Sequence, residues 1–362
     1  VTPRALEAAV REAAVRIFGL DPARIPFVWP RNDHADEGAD VATALPPRLA
    51  GSVGDRLDVS RGDRRAAVAA RVADGLSDMR DEGLVDFDRV FHDGRGFLNV
   101  TFTGRQREAL LAEAADGPRF LTGRDWDGAG EWPSSALHEA GPVAQARRLA
   151  RADARARIGL AVGPQAPPPG PRGEVSWRDP YLDGGPRELI TPAARALGAV
   201  GEASARVAFC RSVPERPRDT ETTGRDLPVL PSVEYPGAWA RLTDANPAFR
   251  LRYAHAHAVS LCRWAEEGAP PPAACSGHTA PVRGLLFDGP SVLDTAARRE
   301  EPHILVRYLE ALASAYDEWR TCSTAVSEPA ERAAAPPALP AAVAGVVRTG
   351  LFLLGVSAPT RL

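Results

Sequence analysis

Few side chains in this 362-residue sequence are spaced for covalent or metal chemistry. Cys275 and His278 form a C-x-x-H pair, but no second pair completes a zinc site, so no bound metal is expected. Asp125, Asp127 and Glu131 begin a ladder of oxygen ligands that breaks off before a calcium loop is complete. The stretch around them, Arg124 to Trp132, reads as a polar, solvated turn carrying two tryptophans. His34, Asp36, Glu37 and Asp40 sit close together around Gly38 and read as a loop. No nucleophile elbow or paired-carboxylate pattern stands out, and no residue is assigned as catalytic. All 44 basic residues are arginine, which excludes a P-loop, because its lysine is obligatory.

The chemistry that the sequence does favour is recognition of phosphate and bases. Arg147, Arg148, Arg151 and Arg155 form a stripe on a helix expected from Pro142 to Ile158. Such a stripe either tracks a phosphate backbone or faces solvent. A second candidate is Asn246-Pro-Ala-Phe-Arg-Leu-Arg-Tyr-Ala-His-Ala-His257. Asn246 is suited to an N-cap, and Pro247 falls at the first helical position, where its missing N–H costs nothing. Phe249, Tyr253 and Ala256 recur on one face of this helix, while Arg252 and His255 lie on another. Those two polar residues are the better suited to RNA. Tyr253 and His303 read as core or capping residues.

The elements that must position these residues follow from periodicity and punctuation. A helix opens at Thr2-Pro3, with Leu6, Val10, Ala13 and Ile17 on one face, and closes at Gly19. Pro26 to Pro30 reads as a short strand, followed by a helix from about Asp40 to Leu49. Val68, Val72 and Leu76 mark a further helix, and the arms around Asp93-Gly94-Arg95-Gly96 mark a hairpin. A helix is expected from Gln106 to Ala115, and a polyproline-type linker from Gly163 to Gly173. Further helices are expected over Ala199 to Ser212, over Ser291 to Arg298, from Glu301, and from Pro340 to a stop at Gly355. The expected fold is mainly α, with a small α+β N-terminal domain and a C-terminal helical bundle.

Net charge is -3, so any RNA contact depends on local arginines rather than on a global basic field. Four scattered cysteines (210, 262, 275 and 322) fit a reducing cytoplasm. The amphipathic N-terminal helix does not read as a signal peptide, and the apolar run from Ala341 to Ala358 contains Arg348 and is too short to span a bilayer.

Several of these motifs resemble the arginyl-tRNA synthetase family. The stretch at Asn246 is similar to the entry helix of the family's anticodon-binding (DALR-like) domain, Asn-Pro-x-x-x-x-Gln-Tyr-Ala-His-Ala-Arg. Val200, Gly201, Ala205 and Arg206 match the helix that leads into that domain. Glu301-Pro-His-Ile-Leu-Val-Arg-Tyr-Leu-Glu-Ala-Leu-Ala313 and the tail Leu354-Gly-Val-Ser-Ala-Pro-Thr-Arg-Leu362 match two later motifs. Near the start, Gly94-Arg-Gly-Phe-Leu-Asn99 resembles the hairpin of the family's N-terminal additional domain, which leans on the tRNA elbow. The companion motif is replaced by Ala39-Asp-Val-Ala-Thr-Ala44, with Val41 where an aromatic stands and Ala44 where an asparagine stands.

The resemblance implies three segments: an α+β domain at 1–103, a mostly helical and linker segment at 104–186 replacing the catalytic domain, and a helical anticodon-binding domain at 187–362. It implies tRNA contacts at Arg252, Tyr253, His255, His257, Arg307 and Arg361, with Arg147, Arg151, Arg155 and Asn99 as additional candidates. The family's His-x-Gly-His and lysine-loop motifs have no counterpart in this chain, and residues 104–186 are too few for a nucleotide-binding sheet of βα repeats. The expectation is therefore a protein without an ATP cofactor that binds tRNA but does not charge it, and that regulates the tRNA or presents it to a partner enzyme. Two alternatives remain open: a protein-interaction subunit that has lost RNA binding, and a ligase whose activation domain is supplied in trans.

Overall fold

The computed structural model describes residues 2–126, 131–163, 191–268, 276–322 and 338–361. The chain divides into two units. One comprises Val1–Glu113 with Arg283–Ser291, and the other Ala114–Val282 with Val292–Leu362.

In the first unit, α1 (Pro3–Phe18) starts where the Thr2 hydroxyl accepts the Ala5 N–H at 3.2 Å, and it ends at Gly19 in the left-handed conformation. Leu6, Val10 and Ala13 are buried along it. It packs on α3 (Arg64–Asp81), whose Val68, Val72 and Leu76 form the facing apolar row. Strands β1 (Val41–Thr43), β2 (Arg89–His92) and β3 (Leu98–Thr101) make an antiparallel sheet in the order β1-β3-β2. Val100 pairs with Val41 on one side and with Val90 on the other.

Two expected elements shift here. Residues 41–43 are strand, and the helix begins only at Leu45, as α2 (Leu45–Val53). Pro46 and Pro47 suit the first turn of that helix, while Val41 and Thr43 fit a pleated surface. The strand expected over 26–30 is reduced to one bridge, Arg31 to Ala42, because Pro26 and Pro30 have no N–H to give a ladder.

In the second unit, the helices are α5 (Gly117–Thr122), α6 (Val143–Val162), α7 (Pro192–Val200), α8 (Glu202–Arg211), α9 (Pro247–Glu266), α11 (Pro302–Thr321) and α12 (Ala338–Leu353). Helices α4 (Gly104–Ala115) and α10 (Ser276–Arg299) each contribute residues to both units. Helix α12 packs against α5, α9 and α11. Its Gly345 meets Gly117 backbone to backbone, an approach that any Cβ would block. The helix expected over Ala199–Ser212 is α8, separated from α7 by Gly201 at φ 80°.

The short helix expected at 291–298 is the end of the 24-residue α10, which runs through Pro281 and Pro290. Burial of Val282, Leu286, Phe287 and Leu293 offsets the hydrogen bonds that those prolines remove. At the described ends of the turn expected at Arg124–Trp132, Asp125 and Glu131 are exposed, while the two tryptophans turn inward. Trp126 and Trp132 lie 4.9 Å apart, and both pack on Phe352.

The linker expected over 163–173 lies outside the described residues beyond Gly163, as do Asp127 and Cys275. Among the described residues there is no group of three or more potential metal ligands, and no helix long and apolar enough to cross a membrane.

Candidate nucleic-acid interface

Helix α9 is fixed at its start by one fully used side chain. The Asn246 amide oxygen accepts from the N–H groups of Ala248 and Phe249, and its Nδ2 donates to the carbonyls of Trp239 and Arg241 and to the Ser204 hydroxyl. The cap is itself buried, so the helix cannot rotate without losing these bonds.

With that start fixed, α9 buries Leu251, Ala254, His255 and Ala258 and turns another face outward. Along it, Phe249, Tyr253 and His257 form a ladder with ring centroids 5.9 and 6.0 Å apart. Tyr316 and Trp319 of α11 continue the ladder at 5.8 and 5.5 Å. The Arg320 guanidinium lies 5.1 Å from the Tyr253 ring centroid. Beside this ladder is a cleft of about 330 Å³, lined by Tyr253, Ala256, His257, Ser260, Trp264 and Arg361. Trp264 is 48% exposed, so an indole face is available at the cleft rim.

Protonation in the cleft follows from its surroundings. Burial and then the nearby Arg320 hold His257 below the usual histidine range, so the ring is neutral at physiological pH. Burial pushes the Tyr316 phenol well above its ordinary value, so it keeps its proton. The Tyr316 hydroxyl and His257 Nδ1 are hydrogen-bonded at 3.0 Å, which fixes the orientation of the ring. An aromatic face, a neutral imidazole, a hydroxyl and a guanidinium thus border one concavity. That set can stack on a base, hydrogen-bond its edge and pair with a phosphate.

The residues singled out from sequence fall into three groups. Tyr253, His257 and Arg361 are brought together in the cleft. His255 is not: it is 2% exposed, and its Nδ1–H donates to the Pro359 carbonyl at 2.9 Å. Its role is to tie the C-terminal tail to α9. Tyr253, read as a core or capping residue, thus lines the cleft, while His255, read as the better suited to RNA, is buried. Arg252 is half-buried and does not line the cleft, and the half-exposed Arg307 lies 3.6 Å from Glu310 on α11.

The third group serves as internal struts. Arg147 is 1% exposed and donates to the Ser212 hydroxyl and to the carbonyls of Pro214 and Glu215. The equally buried Arg151 donates to the Ser212 carbonyl and to the Glu215 carboxylate. Neither faces solvent nor tracks a phosphate backbone, because the loop after α8 supplies carbonyl oxygens that must be satisfied inside the protein. Burial, followed by the neighbouring Arg151, lowers the Arg147 pKa to about 10, still protonated at neutral pH.

Arg155 is only partly covered, and it reaches the Glu300 carbonyl at 2.8 Å and the Glu215 carboxylate. Asn99 is fully buried, and both ends of its amide engage Asp36, at 2.9 and 3.2 Å. It pins the loop before β1 and offers nothing to an elbow base. Val41, also buried, faces the core.

Ser260 and Trp264 were not chosen from sequence. The signal was the continuation of the Tyr253–His257 spacing for two further turns of the same helix.

Residues 251–362 match the family described as the DALR anticodon binding domain. The arginine–tRNA ligase of Micrococcus luteus is 34% identical over 135 residues, covering 33% of this chain and 24% of that protein. The Clavibacter sepedonicus arginine–tRNA ligase is 33% identical over 176 residues, covering 46% and 29% respectively. The chain thus spans less than a third of the length of these relatives. Thermus thermophilus arginyl-tRNA synthetase aligns in structure with a TM-score of 0.35 and 18% identity, over 99% of this chain and 59% of that one. Residues 251–362 thus resemble a DALR anticodon binding domain, and parts of this chain are similar to parts of two arginine–tRNA ligases.

Proposed function

We propose that this protein binds tRNA, arginine tRNA in the first instance, through the α9 cleft and does not itself charge it. The observation that carries the reading is the convergence of Tyr253, His257, Trp264 and Arg361 on one cleft of the DALR domain. Stacking on an aromatic is worth about 1–3 kcal/mol per base, enough for one exposed indole to matter. The absence of lysine and of a His-x-Gly-His motif from this chain supports the second half of the proposal. On this reading the protein needs no ATP, works in the cytoplasm, and regulates its tRNA or hands aminoacyl-tRNA to a partner enzyme. A gel shift with unfractionated tRNA, followed by sequencing of the retained species, tests the first half. Arginine-dependent pyrophosphate exchange above background, with tRNA present, would refute the second and favour a ligase completed in trans.

One observation favours a different reading, a protein-interaction subunit without RNA. Asn99 and Val41 are both enclosed, so the first unit offers neither side chain to a tRNA elbow. Failure to retain tRNA at low salt would select that reading.

A further inference from the structure

A second charged site lies in the same unit, at the turn between α10 and α11. Glu215, on the loop after α8, extends a 59% exposed side chain over α6. One carboxylate oxygen accepts from both Arg151, at 3.0 Å, and Arg155. Burial pushes this carboxyl up, but the hydrogen bonds from Arg155 and Arg151 outweigh that and hold it below the usual range. Arg155 also donates to the carbonyl of Glu300, which closes the turn in the left-handed region at φ 54°. Just beyond, His303 stands in the first turn of α11, within the field of Arg151, Arg299 and Arg307. Arg299 and Arg307 are both exposed. The carboxylate of Glu310, near Arg307, is already engaged by Arg211 at 2.6 Å.

Two guanidiniums converging on one exposed carboxylate oxygen have the geometry with which arginines hold a phosphate. We infer that this is a phosphate-binding site for the backbone of the bound RNA, in which the phosphate takes Arg155 from Glu215, its internal carboxylate, and the exposed Arg299 and Arg307 on the helices flanking the turn add positive charge. The inference rests on the proposed tRNA binding and adds to it a contact away from the α9 cleft. Glu215 then acts as a brake, because RNA must first take Arg155 from it. The opening turn of the 20-residue α11 adds its N-terminal dipole to the same spot.

Glu215→Gln removes the charge at nearly constant size. The variant should bind tRNA about 3- to 10-fold more tightly at low salt, with a salt slope steeper by about one. Combining Arg299→Gln with Arg307→Gln should weaken the full-length protein for tRNA and flatten the slope, without moving its unfolding temperature. Unchanged or weaker tRNA binding by a folded Glu215→Gln protein overturns the inference. Should that variant fail to fold, an unchanged salt slope in the Arg299/Arg307 double variant overturns it equally.

If the wild-type protein binds no tRNA at all, the proposed function fails first, and inorganic pyrophosphate becomes the probe. A larger rise in unfolding temperature with pyrophosphate for Glu215→Gln than for wild type then supports a phosphate site here, and equal shifts reject it. Pyrophosphate binding with no effect of Glu215→Gln on measurable tRNA affinity rejects RNA as the source of the phosphate.

Discussion

Helices α6 and α9 both carry long polar or aromatic side chains at intervals of about four residues, and they point them in opposite directions. On α6, Arg147 and Arg151 turn inward and hold the carbonyls of the segment 212–215. On α9, Tyr253, His257, Ser260 and Trp264 line an open cleft. The difference lies in what each helix is packed against. The loop after α8 brings unsatisfied carbonyls to α6, and a guanidinium has enough donors to satisfy several at once. Beside α9 lies the C-terminal tail, held by His255, which leaves a concavity at its edge. Charge on a helix therefore indicates a recognition surface only when the neighbouring elements leave it room.

The sharpest test of that contrast is on α6. Arg147→Ala should destabilise the protein by about 3 kcal/mol or more, because several buried acceptors lose their donor at about 1–3 kcal/mol each. Its exposed neighbour Arg148→Ala should change stability by no more than about 0.5 kcal/mol. Urea denaturation distinguishes them, and similar losses would end the idea that α6 is a strut.

On α9 the order should reverse, with binding affected more than folding. Trp264→Ala should weaken tRNA binding by about 1–3 kcal/mol while leaving the urea midpoint nearly unchanged. A normal affinity in filter binding would remove the cleft from consideration. Arg361→Ala should have a smaller effect, about 1 kcal/mol, and should reduce the salt slope by about one if it pairs with a phosphate. An unaltered slope would leave that residue merely lining the cleft.

The smallest effect concerns the tie between α9 and the tail. Burial holds His255 below the usual histidine range in the folded protein, and Arg348 adds to this, against the hydrogen bond to Pro359. The unfolded chain therefore takes up the proton first as pH falls. The stability from His255 is complete above the unfolded value of about 6.5 and declines as pH drops below it, by less than about 1.4 kcal/mol per pH unit. Asp288 works the other way. Burial raises its carboxyl to about 6, against the hydrogen bond from the Asn32 N–H, so acidification from pH 7 favours the folded state there. Comparing wild type with His255→Gln in urea at pH 7.5 and 6 isolates the histidine. The same pH dependence in both proteins would show that His255 does not titrate as described.

Much of the local structure was legible because its causes are local. Thr2 and Asn246 cap helices since a short oxygen-bearing side chain reaches the free N–H groups of the first turn wherever the chain turns into a helix. The helical spacing of Leu305, Leu309, Leu312 and Tyr316 likewise marks a buried face. Two misreadings arose where tertiary contacts overrode a local signal. A helix was expected only over Ser291 to Arg298, but α10 runs from Ser276 through Pro290 with Leu286 and Phe287 buried. Val41 to Thr43 looked helical until β3 supplied a strand to pair with.

For the candidate site, the sequence by itself determined the helix, its starting point and the spacing of the residues along it, because these depend on the chain's own geometry. Whether a given arginine or histidine meets solvent, a carbonyl or a carboxylate was decided only by the tertiary structure. His255 and His257 are two residues apart on one helix, so they face different sides, and nothing in the helix says which side the tail will cover. The tail covers His255 because the Pro359 carbonyl needs a donor there, and His257 is left at the cleft.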